Sequence, residues 1–143
     1  MDKLYVCQAC GHIEFGGAPE SCPTCGAPKH QFKEDANALM SAEKEGQEKH
    51  APQIVVTDDC GLIPGVCRDI HVKVGTVPHP MQADHWIQWI DVYVNKTFAA
   101  RYSLLPQTMQ PAVGVHLTKS QKGTLSVIEH CNKHGSWIAE ASL

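Results

Sequence analysis

The sequence predicts a mainly β fold in which a small metal-knuckle domain precedes an antiparallel β-sandwich. The first observation is a set of two Cys-x-x-Cys pairs within the first 26 residues. The second is a change of pattern near residue 48, after which short β-type runs alternate with turns. We therefore predict three regions: residues 1–34 form the metal-knuckle domain, residues 35–47 form a linker, and residues 48–143 form the sandwich.

The bulk composition fits a folded protein without a nucleic-acid or membrane partner. Of the 143 residues, 43% are hydrophobic, which supports a core, and the net charge of −3 gives no reason to expect a polyanionic partner. No apolar run in the sequence is long enough to span a bilayer. The first residues also lack the apolar stretch of a signal peptide, so we expect a cytoplasmic protein.

The first domain carries four of the seven cysteines, which in a reducing compartment are more often metal ligands than disulfide partners. Cys7 and Cys10 form one pair, Cys22 and Cys25 form the other, and a glycine follows each pair. Four thiolates so spaced can bind one metal ion tetrahedrally, and the ion then supplies much of the stability of so small a unit. The spacing alone does not separate zinc from iron.

The linker at residues 35–47 is charged and rich in alanine, and Gly46 lies near its end. A short helix and a flexible tether both fit this composition. In either form its expected task is to join the two domains.

Seven β-type runs make up the predicted sandwich, and their spacing is typical of an antiparallel arrangement. Apolar and polar residues alternate clearly at Ile70, Val72 and Val74, which gives that strand one buried face. The run 86–94 is apolar on both faces, so we expect either a central strand or a contact between subunits. The predicted strands are 54–57, 70–74, 86–94, 98–105, 113–117, 125–128 and 136–139.

Histidine and cysteine residues of the second domain form a candidate set of metal ligands. Cys131 and His134 lie three residues apart in the sequence Cys-Asn-Lys-His-Gly, and His50, His79 and His85 lie upstream. Four imidazoles and one thiolate suit a late first-row metal, and iron is favoured over magnesium or calcium, which prefer oxygen ligands. No methionine follows Cys131, which disfavours a blue-copper centre.

Three motifs, in this order along the chain, resemble those of the superoxide reductase family, which includes desulfoferrodoxin and neelaredoxin. They are Glu-Lys-His-x-Pro at 48–52, Val-Gly-x-x-x-His-Pro-Met-x-x-x-His-x-Ile at 74–87, and Cys-Asn-x-His-Gly at 131–135. The resemblance extends from about residue 48 to the C-terminus. It implies that the sandwich is immunoglobulin-like and that the protein forms a homodimer or a homotetramer.

The resemblance assigns His50, His79, His85 and His134 as four equatorial ligands of a non-haem iron, with Cys131 as the axial sulfur. An axial thiolate raises the electron density at iron, and neutral imidazoles leave a positively charged site that attracts an anion. The implied reaction is the one-electron reduction of superoxide to hydrogen peroxide, without formation of dioxygen. The electron then comes from an external donor, which in this family is usually rubredoxin.

Glu48 and Lys49 are the expected catalytic residues beside the first ligand. The resemblance implies that Lys49 draws superoxide in and organises water for protonation, a task that suits an ammonium on a flexible stem. It also implies that Glu48 can occupy the open iron position in the oxidised resting state. By composition alone the two residues are a solvated couple at the end of a linker, and their adjacency to His50 and Pro52 favours the functional interpretation.

Residues 22–32 resemble the rubredoxin-type domain of rubrerythrins, whose single iron carries one electron. This resemblance favours iron over zinc at the four-cysteine site and gives two iron ions per chain. Desulfoferrodoxin itself has an adjacent cysteine pair in its N-terminal domain, and this chain lacks such a pair. The first domain is therefore a different module in the same position, and whether its iron delivers electrons stays open.

Cys60 and Cys67 depart from the family pattern, because they lie in an apparent insertion between the first two sandwich strands. Two unpaired and partly buried thiols are the main interpretation. A disulfide or a redox-sensing pair is the alternative, which a reducing cytoplasm disfavours.

Several further residues near the second site have expected supporting roles. The backbone amides of Asn132 and Gly135 are placed to hydrogen-bond the Cys131 sulfur, and Trp86 and Trp137 are expected to pack near the site. The remaining histidines are interpreted as surface or structural residues rather than ligands: His12, His30, His71, His116 and His130.

Two other classes of function fit parts of the sequence. One is an electron-transfer protein with two redox centres and no substrate, which the expected open iron position and Lys49 disfavour. The other is a zinc-ribbon binding module fused to a sandwich, and the lack of a basic patch disfavours nucleic acid as its partner.

Overall fold

A computed structural model describes residues 2–41 and 44–143. The chain divides into two compact units, residues 1–40 and 41–143, and each is described by itself. Among the described residues, no helix is both long enough and apolar enough to cross a bilayer.

The first unit is a three-stranded antiparallel sheet with two cysteine-bearing turns. Its strands are β1 (Leu4–Cys7), β2 (Ile13–Phe15) and β3 (Phe32–Glu34), in the order β2-β1-β3, and a 3-10 helix covers Lys29–Gln31. A two-residue strand, β4 (Leu39–Met40), ends the unit. Both turns close in the same way: the amides of Gly11 and Gly26 donate to the carbonyls of Cys7 and Cys22, each over 2.8 Å.

The second unit begins with a short helix and continues with seven strands. Helix α1 covers Gln47–His50. Four strands of this unit lie in one sheet in the order β11-β10-β7-β8, and three form the other in the order β5-β6-β9. The strands are β5 (Pro52–Thr57), β6 (Cys67–Val74), β7 (Ile87–Val94), β8 (Thr97–Ser103), β9 (Ala112–Thr118), β10 (Thr124–Cys131) and β11 (Gly135–Ser142).

The predicted mainly β fold, with a knuckle unit followed by a sandwich, is confirmed. Each of the seven predicted strands is present, with ends that differ by a few residues. Residues Ile70, Val72 and Val74 of β6 point into one apolar core, as their alternation predicts. Strand β7 lies between β10 and β8, so its apolar character on both faces marks a central strand. Each fully buried aliphatic side chain in this core stabilises the fold by about 1.5–3 kcal/mol.

The predicted linker at 35–47 contains more regular structure than a tether and less than a helix of that length. Strand β4 lies inside it, and α1 starts only at its last residue, Gln47. Ala42 and Glu43 belong to this predicted linker and lie outside the described residues.

Candidate metal centres

The four cysteines of the first unit converge on one point. The Sγ atoms of Cys7 and Cys25 are 3.7 Å apart, those of Cys10 and Cys22 are 3.6 Å apart, and all four lie within 4.8 Å of one another. Four sulfurs bound tetrahedrally at about 2.3 Å lie about 3.8 Å from each other. The donor set and its spacing therefore fit a single tetrahedral metal ion.

The thiols of this cluster need a cation to ionise together. Burial raises the pKa of both Cys10 and Cys22, whereas the backbone N–H of Ala27 is the main reason that the pKa of Cys25 is lowered. A bound cation offsets the cost of the buried thiolates, which is why metal binding stabilises such units.

Four imidazoles of the second unit form a closed ring. Neighbouring ring centroids are separated by 4.8 Å for His50 and His79, 4.9 Å for His79 and His85, 5.1 Å for His85 and His134, and 5.0 Å for His134 and His50. Each ring is turned by 69–76° against its neighbours. Such a pinwheel directs one nitrogen of each ring toward a common centre.

Hydrogen bonds at the outer side of this ring identify the inward nitrogens. The Nδ1 atoms of His50 and His79 are 2.9 Å from the Gly46 carbonyl and 2.7 Å from the Pro80 carbonyl, and each donates its proton there. Their Nε2 atoms therefore carry the lone pairs that can bind a metal ion. These two Nε2 atoms face each other over 3.2 Å. The buried Nε2 of His85 has no hydrogen-bond partner, which marks it as a third inward donor.

Cys131 supplies a sulfur beside the imidazole ring. Its Sγ is 3.6 Å from Nδ1 of His134, and its side chain is buried at the end of β10. The ligand atoms of Cys131, His50, His79 and His134 lie within 4.8 Å of one another. His85 lies outside that group of four and joins it through its ring contacts with His79 and His134. Four imidazoles and one cysteine sulfur fit a late first-row metal ion and do not suit magnesium or calcium.

The amides that act on the Cys131 sulfur are not the ones expected from the sequence. They belong to Lys133 and His134, and they lower the Cys131 pKa, although burial raises it by more. The Asn132 amide instead donates to the Trp86 carbonyl over 3.3 Å. Asn132 also accepts the Trp86 amide at 3.0 Å and donates to the Asp84 carbonyl at 2.9 Å. Asn132 therefore holds the segment that carries His85.

Trp137 packs on the site, as predicted. Its ring stacks on His50 with a centroid separation of 5.0 Å and an interplanar angle of 12°. Its Nε1 donates to the His134 carbonyl over 3.2 Å. One indole thus contacts one candidate ligand and orients the backbone of another.

Gly75 lets the turn after β6 pack against α1, the helix that carries His50. The Glu48 carbonyl accepts the amides of Thr76 and Val77 at 2.8 and 2.9 Å, which brings that segment against α1. Gly75 has φ +78°, and a Cβ there would lie 2.7 Å from the Val77 oxygen and 2.8 Å from the Glu48 oxygen. Sequence reasoning missed this role, although Gly75 lies inside a quoted motif.

The positive charges of two exposed lysines lower the pKa of His85, one of the four imidazoles. Lys49 lies on α1 next to His50, with its side chain exposed like that of Glu48. Burial is the main reason that the pKa of His85 is lowered, and the positive charges of Lys133 and Lys49 lower it further. Lys133 is a second cation beside the centre that sequence reasoning missed, and the only signal is its place inside the Cys-Asn-x-His-Gly motif.

Burial keeps the candidate ligands in the form that binds metal. It lowers the pKa of His79 to about 4 and also lowers the pKa of His50 and His85. Neutral imidazoles are the metal-binding form, so these rings are ready for an ion at neutral pH.

A buried acid lies two residues before Cys131. Glu129 is 0% exposed, and burial raises its pKa well above the ordinary value, so it is held as a neutral acid. Sequence reasoning missed Glu129, since on a strand it resembles any solvent-facing carboxylate.

Comparison with known proteins points to one family. The family model described as Desulfoferrodoxin matches residues 42–140, and the model of the rubrerythrin rubredoxin-like domain matches residues 5–33. The chain is 38% identical over 141 residues to a desulfoferrodoxin of Syntrophotalea carbinolica, covering 96% of this chain and 95% of that protein. Both resemblances stated from the sequence are confirmed.

Relatives and solved structures named as superoxide reductases also match most of the chain. A putative superoxide reductase of Methanocaldococcus jannaschii is 32% identical over 109 residues, covering 70% of this chain and 89% of that protein. A solved superoxide reductase (neelaredoxin) from Ignicoccus hospitalis superimposes with a TM-score of 0.63 at 27% identity, covering 78% of this chain and 98% of that one.

The substitution Gly75→Ala is predicted to remove the metal from the second centre and leave the first. The new Cβ meets backbone atoms, and the positive φ strains any other residue, at a cost of about 1–3 kcal/mol. Metal content and urea unfolding followed by tryptophan fluorescence measure the effect. Gly114→Ala is the control, because its Cβ would contact only the His71 ring, at 3.9 Å. Full occupancy and unchanged stability in Gly75→Ala would contradict this role.

Metal-free protein is predicted to lose stability as the pH falls from about 6.5 toward about 4. Burial lowers the pKa of His79 and His130 to about 4, so in this window the unfolded chain binds protons on these histidines that the folded chain does not. Glu129 acts in the opposite sense, because its raised pKa lets the folded chain hold a proton that the unfolded chain releases, and it offsets one histidine. His50 and His85, whose pKa burial also lowers, add to the loss. The free energy of unfolding then falls by up to ~1.4 kcal/mol per pH unit for each such histidine. Urea unfolding at several pH values, followed by tryptophan fluorescence, measures the slope.

The control for this pH dependence is a pair of glutamine substitutions. His79→Gln should reduce the slope by about one proton, because it removes one depressed group. Thr97→Gln, at an exposed position of β8 that carries no titratable group, should leave the slope as it is. A slope in His79→Gln equal to that of the unaltered chain would contradict the burial of His79 as a neutral ring.

Proposed function

The chain belongs to the desulfoferrodoxin family, and from that premise we propose that it reduces superoxide by one electron to hydrogen peroxide at the centre formed by four imidazoles and Cys131. The expectation that the protein is an oxidoreductase is confirmed by its superoxide reductase relatives. The observation that carries the proposal is the closed ring of four imidazoles with the buried Cys131 sulfur beside it.

The proposed metal at both centres is iron. When bound at the second centre, an iron ion supplies a one-electron couple and, beyond five protein donors, a sixth coordination position for a small anion. His50, His79, His85, His134 and Cys131 are the proposed ligands there. Cys7, Cys10, Cys22 and Cys25 are the proposed ligands of the first iron, and zinc is the alternative at that site.

Lys49 and Lys133 are proposed to attract and orient the substrate. Both side chains are exposed, and both charges act on His85, which supports a position close to the centre. Superoxide is a small anion, so two cations at the entrance raise its local concentration and its rate of association. Because Lys49 lies next to the first ligand, its ammonium is also placed to hold a water molecule for proton delivery.

Proton and electron balance defines what else the reaction needs. One superoxide, one electron and two protons give one hydrogen peroxide, so an external one-electron donor must restore the centre after each turnover. We propose rubredoxin or a similar protein as that donor, and the first iron is the candidate relay within the chain. Glu48, exposed on α1, is proposed to occupy the open position in the oxidised resting state.

Assembly and location stay predictions. We retain a homodimer or a homotetramer, because the family resemblance implies it. We also retain the cytoplasm, because reduced cysteines are the proposed ligands of both centres.

Product counting after a single turnover tests the proposed reaction. Chemically reduced full-length protein is mixed anaerobically with a known amount of superoxide. We expect one hydrogen peroxide and one oxidised iron per superoxide, without dioxygen. Dioxygen in proportion to peroxide would establish dismutation instead, and no reaction would leave an electron carrier with two centres. Cys131→Ser is the control, since it should lose the reaction and the second sulfur-to-iron absorption band while the first centre keeps its band.

Lys49→Ala is predicted to slow the reaction with superoxide about 10-fold or more at low ionic strength, and to reduce its dependence on salt. Lys133→Ala should have a smaller effect of the same sign. Lys122→Ala is the matched control, because it removes the same charge at the turn before β10, away from Cys131 at the end of that strand. Stopped-flow rates at several ionic strengths measure these effects. Equal rates in Lys49→Ala and Lys122→Ala would exclude the role of Lys49.

A further inference from the structure

A third cluster of metal-ligating side chains lies at the other end of the three-stranded sheet from His50. Strand β5 starts just after His50, and the Cys60 loop follows its last residue. Antiparallel register places Asp69 of β6 directly opposite His116 of β9. Cys67 lies two residues before Asp69, hence on the same face of β6. That face carries the exposed residues of the strand and is opposite the core.

The side chains in this cluster meet at a single imidazole nitrogen. Nδ1 of His116 is 3.2 Å from the Cys60 sulfur and 3.3 Å from the Cys67 sulfur. The same nitrogen is 3.6 Å from Oδ1 of Asp69. Bond lengths of about 2.3 Å to sulfur and about 2.0–2.1 Å to nitrogen and oxygen at tetrahedral angles give donor separations of about 3.4–3.6 Å. The three separations from Nδ1 of His116 agree with these values to within a few tenths of an ångström. The ligand atoms of Cys60, Cys67 and His116 lie within 4.8 Å of one another, and Asp69 lies outside that group.

The loop between β5 and β6 encloses these donors on a face that is otherwise open to solvent. Cys60 is 3% exposed and Cys67 is 4% exposed, whereas Leu62 and Ile63 of the same loop are 78% and 54% exposed. The loop thus buries its thiols and presents its large apolar side chains to water, the reverse of what hydrophobic burial alone would produce. Oδ1 of Asp69 is also buried there, without a hydrogen-bond partner.

The backbone around Cys60 repeats the turn found at two candidate ligands of the other centres. The Cys22 sulfur takes the amides two and three residues later, from Thr24 and Cys25. The Cys131 sulfur does the same with Lys133 and His134. The Cys60 sulfur likewise takes the amides of Leu62 and Ile63. Such N–H···S turns stabilise a thiolate and are the local structure of a metal knuckle.

The donor set of this cluster also favours a cation. Two buried thiols lie beside a carboxylate oxygen that is itself buried without a hydrogen-bond partner. A divalent ion binds both cysteines as thiolates, releases their protons and gives the carboxylate oxygen a partner.

We propose that Cys60, Cys67, His116 and Asp69 form a third metal site, which binds one zinc ion tetrahedrally. Two thiolates, one imidazole and one carboxylate are ligands that zinc accepts, and four protein donors fill its tetrahedron. The site is therefore structural: it fastens the loop between β5 and β6 to β9. This site does not depend on the proposed reaction, because its four residues lie at the other end of the three-stranded sheet from His50.

This proposal revises two interpretations made from the sequence. Cys60 and Cys67 are buried free thiols rather than partly buried ones, and they are positioned together as donors. His116, interpreted as a surface or structural histidine, supplies the nitrogen that faces both sulfurs. A disulfide between the two cysteines is the competing outcome, and it would leave Asp69 and His116 without a common partner.

Metal counting on the full-length protein tests the third site. The protein is purified under reducing conditions from zinc-supplemented cells, and total iron plus zinc per chain is measured by mass spectrometry. We expect three ions in the unaltered chain and two in the Cys60→Ser/Cys67→Ser double variant. His71→Gln, next to the cluster on the same face of β6, should keep three. Unchanged visible bands in each variant show that the other two centres are intact.

A second measurement uses only the unaltered chain, so the test does not depend on the folding of a variant. Alkylation with iodoacetamide, mapped by peptide mass, should be blocked at Cys60 and Cys67 with zinc present and should proceed after a chelator removes zinc. Two ions per chain, with both thiols alkylated in the presence of zinc, would overturn the proposal. A mass two hydrogens lower at this pair after purification would also overturn it, in favour of a disulfide.

Discussion

Burial of metal-donor atoms that have no protein partner is the constraint on which the functional centres of this molecule depend. The Nε2 of His85 is buried without a hydrogen bond, and the Nε2 atoms of His50 and His79 face each other although both are acceptors in the neutral rings. Such an arrangement costs free energy in the metal-free chain. A bound cation gives each of these nitrogens a bonding partner and removes this cost. Metal binding and folding of this region are therefore coupled.

Contacts around the candidate ligands connect elements that are far apart in the sequence. The Gly75 turn fixes α1, α1 carries His50, and Trp137 of β11 stacks on His50 while it holds the His134 carbonyl. Asn132 in turn fixes the segment before β7 that carries His85. Each of these contacts involves a residue that is not itself a metal donor. Each orients one histidine ring, and such outer contacts adjust the affinity and reactivity of a metal site.

Much of this could be predicted from the sequence, because the signals are local. Alternation at Ile70, Val72 and Val74 indicates a strand with one buried face, and Cys-x-x-Cys spacing indicates a knuckle. What could not be predicted depends on cross-strand register. The meeting of Cys60 with His116 requires β6 to pair with β9, a pairing between residues about 50 positions apart that no local pattern encodes. The position of Lys133 beside His85 is non-local in the same way.

A crystal structure of the iron-loaded protein, with anomalous differences collected at the iron edge, tests the central claim most directly. The account predicts an iron peak at the centre of the four imidazoles, bound by Nε2 of His50, His79 and His85, by Nδ1 of His134 and by the Cys131 sulfur. A second-unit iron peak bound by fewer than four imidazoles, or iron confined to the four-cysteine cluster of the first unit, would contradict it.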